Sequence, residues 1–246
     1  MVDKKNKIPK RSGEHGISTG DDVGAFLRQV ATAPPPVNKS GSRGRLIFAM
    51  DATASRQPSW DRAATIQGQM FHETAALGGL DIQLVFYRGF GEFKASRWTN
   101  KEADLQTWMT SVQCRAGETQ LSKVLAHTAN ETAQNRVNAL VFVGDCCEED
   151  VDHIGVKAGE LGLKGVPAFM FHEGNDDVAA FAFREVARLT RGAYCHFDAS
   201  SAAALRDLLA AVAVYAAGGR MALENLAEQQ GGAVLQIANQ MKGNPS

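Results

Sequence analysis

The sequence predicts a doubly wound α/β domain: a mostly parallel sheet of about six strands, with one antiparallel edge strand and helices on both faces. Three observations carry this. Short, continuously apolar runs such as Leu46-Ile47-Phe48-Ala49-Met50 and Ala139-Leu140-Val141-Phe142-Val143 are what strands covered on both faces require. The stretches between such runs place their apolar residues at helical spacing. One pair of strand-like segments is separated only by a short glycine-containing turn, which permits antiparallel pairing. Strands alternating with amphipathic helices imply a parallel sheet, because each crossover helix must cover a sheet face.

Taken in order, the first strand runs from Arg45 to Asp51. A helix follows, with Ala63, Ile66, Met70 and Leu77 on one stripe, and it closes at Gly78-Gly79. Asp81–Tyr87 and Glu92–Trp98 form the hairpin. Leu105, Trp108, Met109 and Val112 mark a short helix, and Gln120–Gln134 a longer one leading into the strand Ala139–Val143. The alternation continues with a helix through Val151, Ile154, Ala158 and Leu161, then a strand Ala168–His172. A helix through Ala179, Phe183, Val186 and Leu189 leads to a strand Ala193–Phe197, and Leu205, Leu208, Leu209 and Val212 mark a last helix.

Outside this pattern the texture changes. Residues 1–44 read as a flexible basic segment with a short helix over Val23–Val30, then Pro34-Pro35-Pro36 and a Gly/Ser-rich linker. Residues 45–217 form the domain. Residues 218–246 form a C-terminal helical tail with Val234, Ile237, Ala238 and Met241 at helical spacing. Each terminal helix is expected to pack on the domain, with docking on another subunit as the alternative.

The chain has 246 residues and a formal net charge of −1. That balance argues against a general nucleic-acid or membrane-surface binder. Residues 1–45 carry nine Lys or Arg against four acids, so the remainder is acidic. The basic stretch Lys4–Arg11 reads as a solvated tail. No apolar run reaches the roughly 20 residues that span a bilayer, and the basic start is followed by no hydrophobic stretch. Cys114, Cys146, Cys147 and Cys195 are read as thiols in a reducing, cytoplasmic setting.

In open α/β sheets ligands sit at the carboxyl ends of the strands. After the first strand comes Asp51-Ala52-Thr53-Ala54-Ser55, which offers a carboxylate and two hydroxyls at alternate positions. Gly144-Asp145 places a second carboxylate at another strand end, and Gly117-Glu118-Thr119 puts a hydroxyl in a loop that opens a helix. Mg2+ takes six oxygens at about 2.0–2.1 Å, usually with several waters. Two hydroxyls, a third from another loop and two acids acting partly through water meet that demand and leave one position open.

This set resembles the von Willebrand factor A (VWA) domain family and its metal-ion-dependent adhesion site (MIDAS), whose pattern is Asp-x-Ser-x-Ser, then a distant Thr, then a distant Asp. The resemblance covers about residues 45–217, with Thr53 standing where Ser is commoner. It implies that Thr53, Ser55 and Thr119 ligate Mg2+ or Mn2+ and that Asp51 and Asp145 act mainly through bound water. It further implies an intracellular interaction module, not an enzyme, in which a protein partner's Glu or Asp completes the shell. That partner would belong to a MoxR-type AAA+ ATPase or a tellurium-resistance-type stress assembly.

Other readings fit less well. In one alternative, Asp51 and Thr53 cap the following helix and Asp145 the next. A haloacid-dehalogenase-type phosphotransferase needs a carboxylate where Thr53 stands. Gly-x-Gly-x-x-Gly, Gly-x-x-x-x-Gly-Lys and Gly-x-Ser-x-Gly do not occur at the places where a dinucleotide enzyme, a nucleotidase or a serine hydrolase needs them. A metal-dependent hydrolase or phosphotransferase on the same fold, or a structural module with a silent metal site, remain the alternatives. Cys146, Cys147, Cys195, His196 and His172 match no zinc spacing.

Overall fold

The computed structural model describes residues 25–26, 28–30, 32–33, 43–67, 70, 72, 79–197 and 202–230. Its strands are β1 (Gly44–Asp51), β2 (Leu80–Arg88), β3 (Glu92–Ala95), β4 (Ala139–Gly144), β5 (Ala168–Glu173) and β6 (Ala193–Phe197). Its helices are α1 (Gln57–Ile66), α2 (Glu102–Ser111), α3 (Leu121–Gln134), α4 (Val151–Leu163), α5 (Asp177–Thr190) and α6 (Ala202–Gln230). They build one six-stranded sheet in the order β3-β2-β1-β4-β5-β6. Every pairing is parallel except β2 with β3. The chain winds outward from β1 in both directions, so the switch in strand order falls between β1 and β4.

Strands β1, β2, β4, β5 and β6 each feed two cores. Leu46, Phe48 and Met50 of β1 point to a layer that includes Trp60 and Ala63 of α1, Leu105 and Met109 of α2, and Leu208, Val212 and Tyr215 of α6. Ile47 and Ala49 point to the opposite layer, with Leu121 and Val124 of α3, Ile154 and Leu161 of α4, and Phe183 and Val186 of α5. This period of two on a strand wrapped on both sides is why the run Leu46–Met50 is wholly apolar. Burying each of its larger side chains, Leu46, Ile47, Phe48 and Met50, stabilises the fold by about 1.5–3 kcal/mol.

Three details differ from or refine the sequence reading. The second hairpin strand was expected to reach Trp98, yet regular pairing stops at Ala95. The Ser96 hydroxyl accepts the Leu84 N–H (3.0 Å), displacing the backbone there, and an isolated bridge re-forms between Ile82 and Thr99. Of the helix expected over Val23–Val30, residues 25–26 and 28–30 are described; they are helical and pack on the domain, with Phe26 and Val30 buried and the Phe26 ring meeting Phe171 edge-on at 5.1 Å. The last helix runs on through residues 218–230, across a left-handed Gly219 (φ 74°), and Leu223 joins the core beyond that kink. Helical spacing at Val234–Met241 lies outside the described residues.

Candidate metal centre

Asp51 ends β1 beside β4, at the switch in strand order, and is fully buried. Its Oδ1 accepts the Thr53 N–H at 2.7 Å, which turns the chain sharply after the strand. Its Oδ2 is buried with no hydrogen-bond partner. A buried carboxylate oxygen without a donor is an expensive arrangement unless a cation or water meets it. Burial raises the Asp51 carboxyl from its ordinary 3.8 to about 6; the Thr53 N–H works against this, and the nearby Asp145 charge adds to it.

An oxygen of Asp51 lies within 4.8 Å of one from Asp145. Ser55 Oγ donates to Asp145 Oδ2 at 2.7 Å, and Thr53 Oγ1 lies 3.5 Å from Ser55 Oγ. Asp51, Thr53, Ser55 and Asp145, read as a set from two distant segments, are thus brought together. Thr119 bonds to a different residue, Glu148. Its N–H donates to Glu148 Oε2 and its Oγ1 accepts the Glu148 N–H, both at 3.1 Å, tying its loop to the segment that follows Asp145. A hydroxyl oxygen accepting one such bond keeps a second lone pair for a cation.

Two features lock the Thr119 loop. Arg115 N–H donates to Ala52 O at 3.0 Å, next to the motif itself. Gly117 presses so closely on the β2–β3 turn that a Cβ there would lie 2.3 Å from Gly89 backbone atoms, so only glycine fits. Glu149 then accepts the Leu121 and Ser122 N–H groups at the start of α3. Burial tends to raise Glu148, but its hydrogen bonds, to Thr119 first and then Cys146, together hold it below the usual range.

Helix capping does not account for the motif. Thr53 precedes a short 3-10 turn (Ala54–Arg56) without a side-chain cap bond, and α4 is capped by Asp150, not Asp145. The soft-metal cluster weighed from the sequence does not form either. Cys147 is buried in the core, Cys195 donates to the His196 carbonyl, and none of the four cysteines is in a disulfide. Cys146 behaves differently. Its Sγ donates to Asp145 Oδ1 at 3.3 Å, and burial followed by the Asp145 charge pushes its thiol well above the ordinary range. Among the described residues, Asp51, Asp145 and Cys146 are the group able to hold a metal ion, with one ligand atom from each lying within 4.8 Å of the others.

Sequence reasoning missed a second buried charge system beside this one. Arg56, 1% exposed, pairs with Glu173 at the end of β5; Ser59 Oγ donates to the same carboxylate at 2.5 Å and Arg62 lies 3.4 Å away. The signal available was an acid closing an apolar strand and an arginine one residue past the motif. Tyr87, paired with Asp51 across β1 and β2, is also buried, and burial with the Asp51 charge pushes its phenol well above its ordinary value.

No protein-family model matches the chain, and no curated protein matches it in sequence. Solved structures do. The SpRpn10 VWA domain is 13% identical, with a TM-score of 0.53, over 72% of this chain and 98% of that domain. The chain has the VWA fold. A minor pilin, PilB of Streptococcus sanguinis (the D319A mutant), is 9% identical over 84% of this chain and 65% of its own, with a TM-score of 0.52. Proximal thread matrix protein 1 of the mussel byssus, with a zinc-occupied MIDAS motif, is 12% identical with a TM-score of 0.52. It is matched over 70% of this chain but only 46% of its own length. Among the described residues of this VWA fold, no helix is long and apolar enough to cross a membrane.

Proposed function

We propose that this chain is a protein-recognition module, not a catalyst, in which a divalent cation held at the carboxyl edge of the sheet receives a Glu or Asp side chain from a protein partner. Thr53, Ser55 and Thr119 supply hydroxyl oxygens, and Asp51 and Asp145 hold the shell largely through water. The observation that carries this reading is the Asp51 Oδ2 atom, fully buried and without a donor, on a carboxylate with an oxygen within 4.8 Å of one from Asp145, which itself accepts from Ser55. A cation there offsets the charge that burial penalises.

Taken alone, these oxygen donors suit Mg2+ or Mn2+, which favour carboxylate, hydroxyl and water ligands. Few direct anionic ligands leave the ion electrophilic, so an external carboxylate is attracted to the vacant position. The setting we assign is intracellular, with a MoxR-type AAA+ ATPase or a stress-response assembly supplying the carboxylate; that choice rests on the family resemblance. The test is thermal unfolding across a Mg2+ or Mn2+ titration for the parent protein and Asp51→Ala, followed by affinity capture of partners with and without chelator. The reading expects the melting temperature to rise with metal in the parent alone, and capture to need both metal and Asp51. Equal response of both proteins would overturn it.

A further inference from the structure

We propose that Cys146 is a direct ligand of this centre and makes it a mixed oxygen–sulfur site selective for a thiophilic divalent cation of the zinc class over Mg2+. The inference rests on the metal-site reading above and takes the identity of the ion further than the five oxygen-bearing residues can.

Two independent observations support it. The first is placement. In a strand, successive side chains point to opposite faces, so neighbours such as Asp145 and Cys146 should not meet. The chain leaves β4 in a bend at Asp145, and the Cys146 Sγ comes to 3.3 Å from Asp145 Oδ1. In a tetrahedral zinc shell, with Zn–S near 2.3 Å and Zn–O near 2.0–2.2 Å, a sulfur and an oxygen ligand lie about 3.5 Å apart. The thiol therefore stands at ligand spacing from a carboxylate that itself accepts from Ser55. The second is the missing charge. Asp51 Oδ2 is buried with no partner, and one oxygen of Asp51 lies within 4.8 Å of both the Cys146 sulfur and an Asp145 oxygen. Cys147, by contrast, is packed in the core among apolar side chains and offers nothing to the site.

Sulfur changes which ion wins. Mg2+ gains little from a thiolate, whereas zinc-class ions bind sulfur strongly. Ligation replaces the Cys146 S–H bond with a sulfur–metal bond. The proton leaves to solvent, the hydrogen bond to Asp145 is given up, and no electrons are transferred. A thiolate and one direct carboxylate would neutralise the ion and retain it before any partner arrives, with the remaining position left for the partner's carboxylate.

Cobalt(II) is the probe, because it occupies zinc sites and a direct thiolate gives a near-ultraviolet sulfur-to-cobalt charge-transfer band. The full chain is titrated with Co2+ as parent, Cys146→Ser, Cys147→Ser and Asp51→Ala, with melting temperature read in parallel. The proposal expects the band in the parent and in Cys147→Ser, its loss in Cys146→Ser with a melting-temperature rise on cobalt retained, and its loss in Asp51→Ala. Equimolar Zn2+ should erase the band, and a large excess of Mg2+ should not. Cobalt that raises the parent's melting temperature without the band overturns the role of Cys146 and leaves the oxygen-donor site standing. Absence of any cobalt response in the parent overturns both. A band that survives Cys146→Ser or Asp51→Ala places the thiolate–metal bond elsewhere and also overturns the proposal. Cys146→Ala, read in the same way, takes the place of Cys146→Ser if the serine variant does not fold, so the assignment to Cys146 stays testable.

Discussion

Glu173, at the end of β5, and Asp51, at the end of β1, are both buried carboxylates at the carboxyl edge of one sheet, yet the protein supplies a cation directly to only one of them. Glu173 has Arg56, Ser59 and Arg62 around it, so both its oxygens are met. Asp51 has a single backbone N–H on one oxygen and nothing on the other. Arg56 stands close enough to both to lower the Asp51 carboxyl slightly, yet its guanidinium bonds Glu173 and leaves its Nε and Nη2 without partners. The difference separates a structural charge from a receiving one. A carboxylate neutralised within the fold holds α1 to β5; a carboxylate left uncompensated at the switch in strand order is, in our proposal, the seat for an outside cation.

Removing each acid should therefore have opposite effects. Glu173→Ala leaves Arg56 as an uncompensated buried cation, and we expect a loss of about 3–5 kcal/mol in denaturant unfolding, with or without metal. A variant as stable as the parent would break the contrast from the structural side. Asp51→Asn keeps the shape and removes the charge, so the metal-free protein should be at least as stable as the parent at neutral pH. It should lose the metal-dependent stabilisation, which for the parent at one hundred times the dissociation constant is about 2.7 kcal/mol.

Next in size is Gly117→Ala. The added Cβ would fall 2.3 Å from the Gly89 backbone, pushing the Thr119 loop off the β2–β3 turn. We expect a destabilisation of about 1–3 kcal/mol, together with weaker metal binding in calorimetry. Unchanged metal affinity would remove Thr119 from the site.

The smallest effect is on pH dependence, because two groups oppose each other. Asp51 holds its proton more tightly folded than unfolded, about 6 against 3.8, so the stability of the metal-free protein falls as pH rises through that window, while metal uptake rises. His172 is lowered from 6.5 to about 4 by burial and then by His196, so its contribution is lost as pH falls from 6.5 towards 4. Between about pH 4 and 6 the two slopes offset. In Asp51→Asn only the histidine slope remains, and chemical unfolding at several pH values should show stability falling more steeply on acidification than in the parent.

Much of the fold was legible because parallel strands covered on both faces must be apolar throughout, and runs such as Leu46–Met50 and Ala139–Val143 have no other easy explanation. The early end of β3 was not legible: Ser96 looks like a strand residue until its hydroxyl takes the Leu84 N–H. At the site, Asp51, Thr53, Ser55 and Asp145 were readable because their spacing places oxygens just past strand ends. Cys146 was set aside, since only the bend at Asp145 turns its sulfur towards the same point. The Arg56–Glu173 pair was invisible because charged side chains are ordinarily read as surface, and their burial depends on partners more than one hundred residues apart.

The most direct measurement is anomalous diffraction from crystals of the full chain grown near pH 8 in Mn2+. The account predicts a single strong peak at the end of β1, within coordination distance of the Ser55 hydroxyl and bridged to Asp51 and Asp145. Well-ordered crystals with Asp51 Oδ2 hydrogen-bonded to water alone, and no manganese peak at that position, would contradict it.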